Sequence, residues 1–239
     1  MLVLENISMN FGGLVVLNDV SMRIEAGELV GLIGPNGAGK TTLFNIVSGF
    51  QRPSGGRVVF RDKPINGVPT HELAARGLVR TFQGARVFPK LTVRENLRVA
   101  HHLTSRHGGD AGDLASRAMT LLDLDRFADE LAGSLPAGLV RTLGIAMAIS
   151  TGAQLLLLDE PAAGLSAEEV DHLRTVVQRT HAEGVTLCII EHNLKFLMGT
   201  VQRACVLDAG VMIANGTPEE VTRNPRVIEA YLGDTFAER

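Results

Sequence analysis

Eight consecutive residues, Gly34-Pro35-Asn36-Gly37-Ala38-Gly39-Lys40-Thr41, fit the spacing G-x-x-x-x-G-K-[ST]. Glycines so spaced let successive backbone N–H groups turn inward around phosphate oxygens, and a helix opening at the end of the loop adds its partial positive charge. In such a loop Lys40 reaches the β and γ phosphates of a nucleotide, and the Thr41 hydroxyl ligates Mg²⁺. The plainer reading, a glycine-rich turn with no ligand, is disfavoured by the completeness of the motif and by its setting.

A second constellation is Leu155-Leu-Leu-Leu158-Asp159-Glu160, two adjacent carboxylates at the end of an apolar run. Ligands of parallel α/β sheets collect at that end of a strand. Asp159 can hold Mg²⁺ through its water shell, and Glu160 can polarise a water that attacks the γ-phosphate. Alone, the same residues also read as a polar turn leaving the sheet through Pro161.

These groups need a scaffold, and the flanking sequence supplies one. Leu29 to Ile33 reads as a buried strand, and Leu43, Ile46 and Val47 recur at helical spacing, so the order is strand, loop, helix. From Leu2 to Glu25 alternating apolar residues predict half-buried antiparallel strands. The stretch from about Glu95 to Ser150 predicts helices, opened by the capping box Thr92-Val-Arg-Glu95, with Thr104 to Asp113 as a surface loop carrying His107 beside His101 and His102. All three histidines read as surface residues without metal-type spacing. From Leu155 onward, strand and helix alternate, which predicts a parallel sheet covered by helices. Val206 to Asp208 and Val211 to Ala214 predict a hairpin around Ala209-Gly210, and Thr217-Pro218 and Asn224-Pro225 predict two helix starts.

The chain has 239 residues, 45% hydrophobic and 21% charged, with a formal net charge of -3. That balance suits a folded domain and offers no basic field for a nucleic-acid backbone. The most apolar run falls far short of the roughly 18 to 20 residues that span a bilayer, and residues 1–10 read as a strand rather than a secretory leader. Cys188 and Cys205 sit in strand-like apolar runs and read as buried free thiols.

From Leu2 to Gly233 the order of motifs resembles the ABC ATPase family. The resemblance implies an α/β P-loop NTPase core with an antiparallel β subdomain and an inserted helical subdomain, the core being about 1–92 and 151–239 and the helical part about 93–150. It implies ATP binding by Phe11, Asn36, Gly37, Ala38, Gly39, Lys40, Thr41 and Thr42, with Phe11 stacking on adenine. Thr81-Phe-Gln83 resembles the glutamine loop, so Gln83 joins Thr41 and Asp159 around Mg²⁺. Ile190-Glu191-His192 resembles the switch-histidine segment, so Glu160, His192 and Gln83 form the implied catalytic set. Phe11 read alone is equally a core residue.

Two stretches depart from the family pattern. Leu135-Pro136-Ala137-Gly138-Leu139 stands where the family has Leu-Ser-Gly-Gly-Gln, the signature that binds ATP held by the partner subunit. Pro136 supplies neither hydroxyl nor N–H, although Gly138 and its helix retain donors. A dimer of two different ATPases is therefore expected, with a homodimer as the alternative. Ser166 stands where relatives carry an acid or amide, and with Glu169 it reads as a helix cap.

Arg80-Thr81-Phe82-Gln83, Leu91 to Asn96 and the tail Asn215 to Gly233 resemble the branched-chain amino-acid and urea or amide uptake branch. The resemblance implies membrane permease subunits, a second ATPase, an extracytoplasmic binding protein reached indirectly, and a place on the inner face of the cell membrane. The expected function is ATP hydrolysis driving transport of a small solute, with branched-chain amino-acid import as the expected case, and with docking on the permease near Val87, Phe88 and Leu91 or, equally, core packing by those residues. The rival expectations are a regulatory subunit with impaired hydrolysis and a non-transport ABC protein.

Overall fold

Alternating apolar residues fold as expected into β1 (Leu2–Phe11) and β2 (Leu14–Ile24), antiparallel from Phe11↔Leu14 to Leu2↔Ile24. The protein is seen in a computed structural model that describes the backbone of residues 1–81, 86–104 and 111–237. The β1–β2 register shifts three times, and the first shift, between Leu4 and Ile7 where Asn6 takes φ 52°, breaks the strict alternation of buried residues. This bulge returns Ile7 to the buried face shared by Leu2 and Leu4.

β3 (Leu29–Ile33) is buried throughout and leads through the glycine loop into α1 (Lys40–Val47). β4 (Gly55–Phe60) and β5 (Lys63–Pro64) then complete an antiparallel sheet of order β2-β1-β4-β5. Sequence patterning had not marked these two strands. Next come α2 (Thr70–Ala75) and the short β6 (Leu78–Arg80), followed by α3 (Val93–Thr104), α4 (Ala111–Leu121) and α5 (Ala137–Ser150).

The last third alternates as expected: β7 (Leu155–Asp159), α6 (Ala167–Ala182), β8 (Thr186–Ile190), α7 (Leu194–Met198) and β9 (Arg203–Asp208). β10 (Val211–Gly216), α8 (Pro218–Thr222) and α9 (Pro225–Ala237) follow. The predicted hairpin joins β9 and β10, with Ala209 and Gly210 at φ 42° and 78°. Both helix starts are observed, and Thr217 with Glu220 closes a capping box.

The main sheet runs β10-β9-β3-β8-β7-β6 and is parallel except at β10. Its two faces explain the unbroken apolar run of β7. Leu155 and Leu157 pack toward the antiparallel sheet and α1, whereas Leu156 and Leu158 pack toward the helices. Each such leucine contributes about 1.5–3 kcal/mol by leaving water. Cys188 and Cys205 lie buried on the first of these faces as free thiols, and burial pushes the Cys205 thiol up to about 11.

α3, α4 and α5 pack against one another between β6 and β7, and α5 also packs on α6. The ends of the predicted loop Thr104 to Asp113 are helical, because α3 runs through Thr104 and α4 begins at Ala111; residues 105–110 lie outside the described residues. His107 and the candidate site residue Gln83 lie outside the described residues. His102 is exposed as expected, but His101 is not a surface residue: it faces the α3–α5 contact, with Nδ1 2.9 Å from the Ser150 carbonyl oxygen. Among the described residues, no helix is long and apolar enough to cross a membrane.

Candidate functional site

The glycine loop leaves β3 at Ile33 and threads between β9 and β2. Gly34 has φ 153°, and a Cβ there would stand 1.9 Å from the Leu207 carbonyl oxygen. Gly39, at φ 102°, would bring a Cβ within 2.7 Å of Leu17 Cδ2 and 2.9 Å of Val16 O. Both positions therefore admit only glycine. Gly39 is also the N-cap of α1, and no side chain caps that end. Its first N–H groups face outward with the positive end of the helix, the arrangement that takes up anions.

Asn36, Gly37 and Thr41 are exposed, Gly39 and Thr42 half-buried, and Ala38 and Lys40 buried. Lys40 is bound more closely to the loop than the sequence implied. Its Nζ donates at 2.7 Å to both Gly34 O and Pro35 O, bracing the loop from within. An open cavity of about 640 Å³ lies beside Pro35 to Ala38, bounded also by Asp208, Ile213 and Arg226 and Glu229 of α9.

At the end of β7, Asp159 pairs with Ile190 of β8, and the Glu160 N–H donates to Ile190 O at 3.0 Å. Glu160 then turns with φ 46°, a left-handed backbone that costs a non-glycine residue about 1–3 kcal/mol and clusters at functional sites. The turn keeps the Glu160 side chain at the surface of the sheet end. His192 Nδ1 lies 3.8 Å from Glu160 Oε2, so two of the three expected catalytic side chains are brought together.

Asp159 has a partner that sequence reasoning missed. Arg80 Nη2 is 2.6 Å from Asp159 Oδ2, while Nη1 reaches Asn45 Oδ1 at 2.7 Å and Ser48 Oγ at 3.1 Å. The guanidinium also lies near the rings of Phe44 and Phe50. It thus ties the end of β6 to α1 and to the acidic pair. One residue later, the Thr81 N–H donates to Leu157 O at 2.9 Å, so Thr81 also lies alongside β7.

Phe11 is 49% exposed at the tip of the β1–β2 hairpin, which removes the core reading. Leu14 and Val15, also exposed, extend an apolar tip that sequence reasoning had not marked. In the signature stretch Leu135 is buried, and Pro136 is the N-cap of α5 without a side-chain cap bond. Ala137 is exposed, and the Gly138 N–H, expected to be available, donates to Glu169 Oε1 at 2.9 Å. Ser166 and Glu169 form the expected capping box. Hydrogen bonds from the Ser166 backbone, then the Gly138 backbone and the Ser166 side chain, hold the Glu169 carboxyl below its ordinary value.

Of the residues expected to dock on a permease, Val87 packs against the core, Leu91 is half-buried and Phe88 is 45% exposed. Buried Asn96 pins this stretch: its Oδ1 accepts from Phe88 N at 2.7 Å, and its Nδ2 donates to the carbonyls of Phe88, Leu91 and Thr92.

A phosphate-binding loop opening a helix, with an acidic pair and a histidine at the same end of a mostly parallel sheet, defines a P-loop nucleoside triphosphatase. The family described as ABC transporter matches residues 17–163, and that described as branched-chain amino acid ATP-binding cassette transporter matches residues 211–237. The high-affinity branched-chain amino acid transport ATP-binding protein BraF of Pseudomonas aeruginosa is 39% identical, with 98% of each chain covered. LivG of Escherichia coli strain K12, described in the same words, is 40% identical over 98% of each chain. Among solved structures, the ADP conformation of MJ1267, an ATP-binding cassette of an ABC transporter, superposes with TM-score 0.88 at 31% identity, covering 98% of both chains. The chain belongs to the ABC transporter family of ATP-binding cassettes, and it is an ATPase.

Proposed function

We propose that this ATPase powers import of branched-chain amino acids through separate membrane permease subunits. The observation that carries this reading is the tethering of α1, the helix that opens at the glycine loop, to Asp159 of the acidic pair by Arg80, within a cassette whose residues 211–237 match the branched-chain amino-acid family.

In this reading the amides of Asn36 to Thr42 hold the phosphates, Lys40 exchanges its loop carbonyls for phosphate oxygens, and Phe11 with Leu14 and Val15 supports the adenine. Thr41, exposed at the start of α1, and Gln83 would hold Mg²⁺ together with Asp159, which would act through the water shell of the ion while its Oδ2 is paired with Arg80. Oxygen donors of this kind suit a hard divalent cation, which when bound would supply positive charge against the phosphates. Glu160 takes a proton from the attacking water, His192, whose Nδ1 lies 3.8 Å from Glu160 Oε2, contacts the γ-phosphate, and Gln83 orients the water.

The core comprises about 1–92 and 151–239 and the helical subdomain about 93–150, close to the span of α3 to α5. Two cassettes close head to tail on ATP, the signature stretch Leu135 to Gly138 of this chain meeting the nucleotide of its partner. The Glu169 carboxylate on Gly138 N–H competes with that incoming phosphate, which supports pairing with a different ATPase rather than a second copy. The chain works at the inner face of the membrane, docked through the segment pinned by Asn96, with an extracytoplasmic binding protein supplying solute and no nucleic acid involved. The regulatory reading is disfavoured by the presence of Glu160 and His192 side by side.

Purification of the complex from membranes, followed by reconstitution into vesicles, tests the proposal. The expected result is ATP-dependent uptake of leucine, isoleucine or valine with a permease and a second ATPase present. Uptake of an unrelated solute alone contradicts the assignment of substrate.

A further inference from the structure

Glu191 directly follows β8, one residue before His192, and is fully buried, at 0% exposure. Its Oε1 accepts from the Ala162 N–H at 2.7 Å, and its Oε2 accepts from the N–H groups of His192 at 3.1 Å and Asn193 at 3.2 Å. Ala162 lies two residues beyond Glu160. One carboxylate therefore spans the turn that carries Glu160 and the turn that carries His192.

Burying a carboxylate is costly unless hydrogen bonds replace its water, and well-packed apolar residues often serve stability as well or better. Stability alone therefore does not require this group. What a carboxylate supplies is four-fold acceptor capacity from one short side chain, so that amides of two separate loops are held at fixed distance. A third element converges on the same place. Arg141 of α5 brings Nη2 to 3.4 Å from Ala163 O, and while burial lowers its pKa, the charge of Glu191 opposes that shift.

We infer that Glu191 is a positioning residue: by clamping the Ala162 amide to those of His192 and Asn193, it fixes the Glu160–His192 geometry and so sets the rate of hydrolysis rather than nucleotide affinity. The inference rests on the roles given to Glu160 and His192 above. Glu191→Gln keeps the volume but replaces one acceptor oxygen by a donor, so the clamp opens on one side. Displacement of a catalytic pair by a fraction of an ångström lowers kcat by about 10-fold or more.

The test compares steady-state kcat and KM and equilibrium ATP affinity in the purified full-length chain with its partners, for Glu191→Gln, Glu191→Asp and Glu160→Gln. The expected result for Glu191→Gln is a kcat lowered about 10-fold with KM and ATP affinity within about twofold of the parent. Glu191→Asp retains both oxygens on a shorter arm and is expected to recover part of the rate; it carries the test if the glutamine variant does not fold. Unchanged kcat in both variants overturns the inference, as does a loss of ATP affinity equal to the loss of rate. Full turnover by Glu160→Gln overturns the underlying assignment of Glu160 and the inference with it. An inactive Glu160→Gln beside a fully active Glu191→Gln overturns the inference alone.

Discussion

Arg80 and Asp159, at the ends of neighbouring strands β6 and β7, form a buried ion pair of 2.6 Å, with side-chain exposures of 5% and 11%. The same guanidinium reaches Asn45 in α1 and Ser48 just after it, so the helix that opens at the phosphate loop is anchored to the acidic pair. Removing one partner of a buried pair leaves the other uncompensated and costs about 3–5 kcal/mol. Arg80→Met is expected to lower unfolding free energy by that amount in urea titration. Arg80→Lys, a charge without the fork, is expected to fall between.

Gly34, buried, and Gly37, exposed, differ in what surrounds them. Gly34→Ala forces a Cβ to 1.9 Å from Leu207 O, so β9 must move; Gly37→Ala meets nothing within 4 Å and suffers only its φ of 78°. Thermal unfolding is expected to register about 1–2 kcal/mol for Gly37→Ala, the cost of a left-handed alanine. A folded Gly34→Ala protein of equal stability would contradict the packing described.

Asn96 carries four hydrogen bonds to the Phe88–Thr92 stretch from a fully buried position. Asn96→Ala leaves those backbone groups without it, at about 1–3 kcal/mol for each buried group that water cannot reach. Hydrogen exchange is expected to show the Phe88 amide losing protection before the α3 amides do.

Much of this was legible in the sequence where the determinants are local. The capping boxes Thr92–Glu95, Ser166–Glu169 and Thr217–Glu220 link residues three apart, and all three are present. The apolar run Leu155 to Leu158 announced a strand covered on both faces. Gly55 to Phe60 escaped notice because its glycines blur the alternation, though it pairs with β1 over most of its length. Arg80 meets Asp159 across 79 positions, and Glu191 meets Ala162 across 29, separations that no local pattern encodes. His101 looked like a surface histidine because its partner, Ser150 O, is brought up only by the packing of α3 on α5.

The Glu169 carboxyl is held below its usual value of 4.5 by bonds from the Ser166 backbone first, then the Gly138 backbone. A depressed folded value means the contribution is complete above the unfolded pKa and is lost as pH falls through the folded one. The stability difference between the parent and Glu169→Ala is therefore expected to be constant from pH 6 to 8 and to shrink below about pH 4.5. A difference that grows on acidification would contradict the bond to Gly138.

The most direct measurement is ATP turnover by Glu160→Gln, with Mg-ATP binding followed in parallel. Loss of a general base predicts turnover reduced by about 100-fold or more while binding persists. Turnover equal to that of the parent protein contradicts the assignment of hydrolysis to Glu160 at the end of β7.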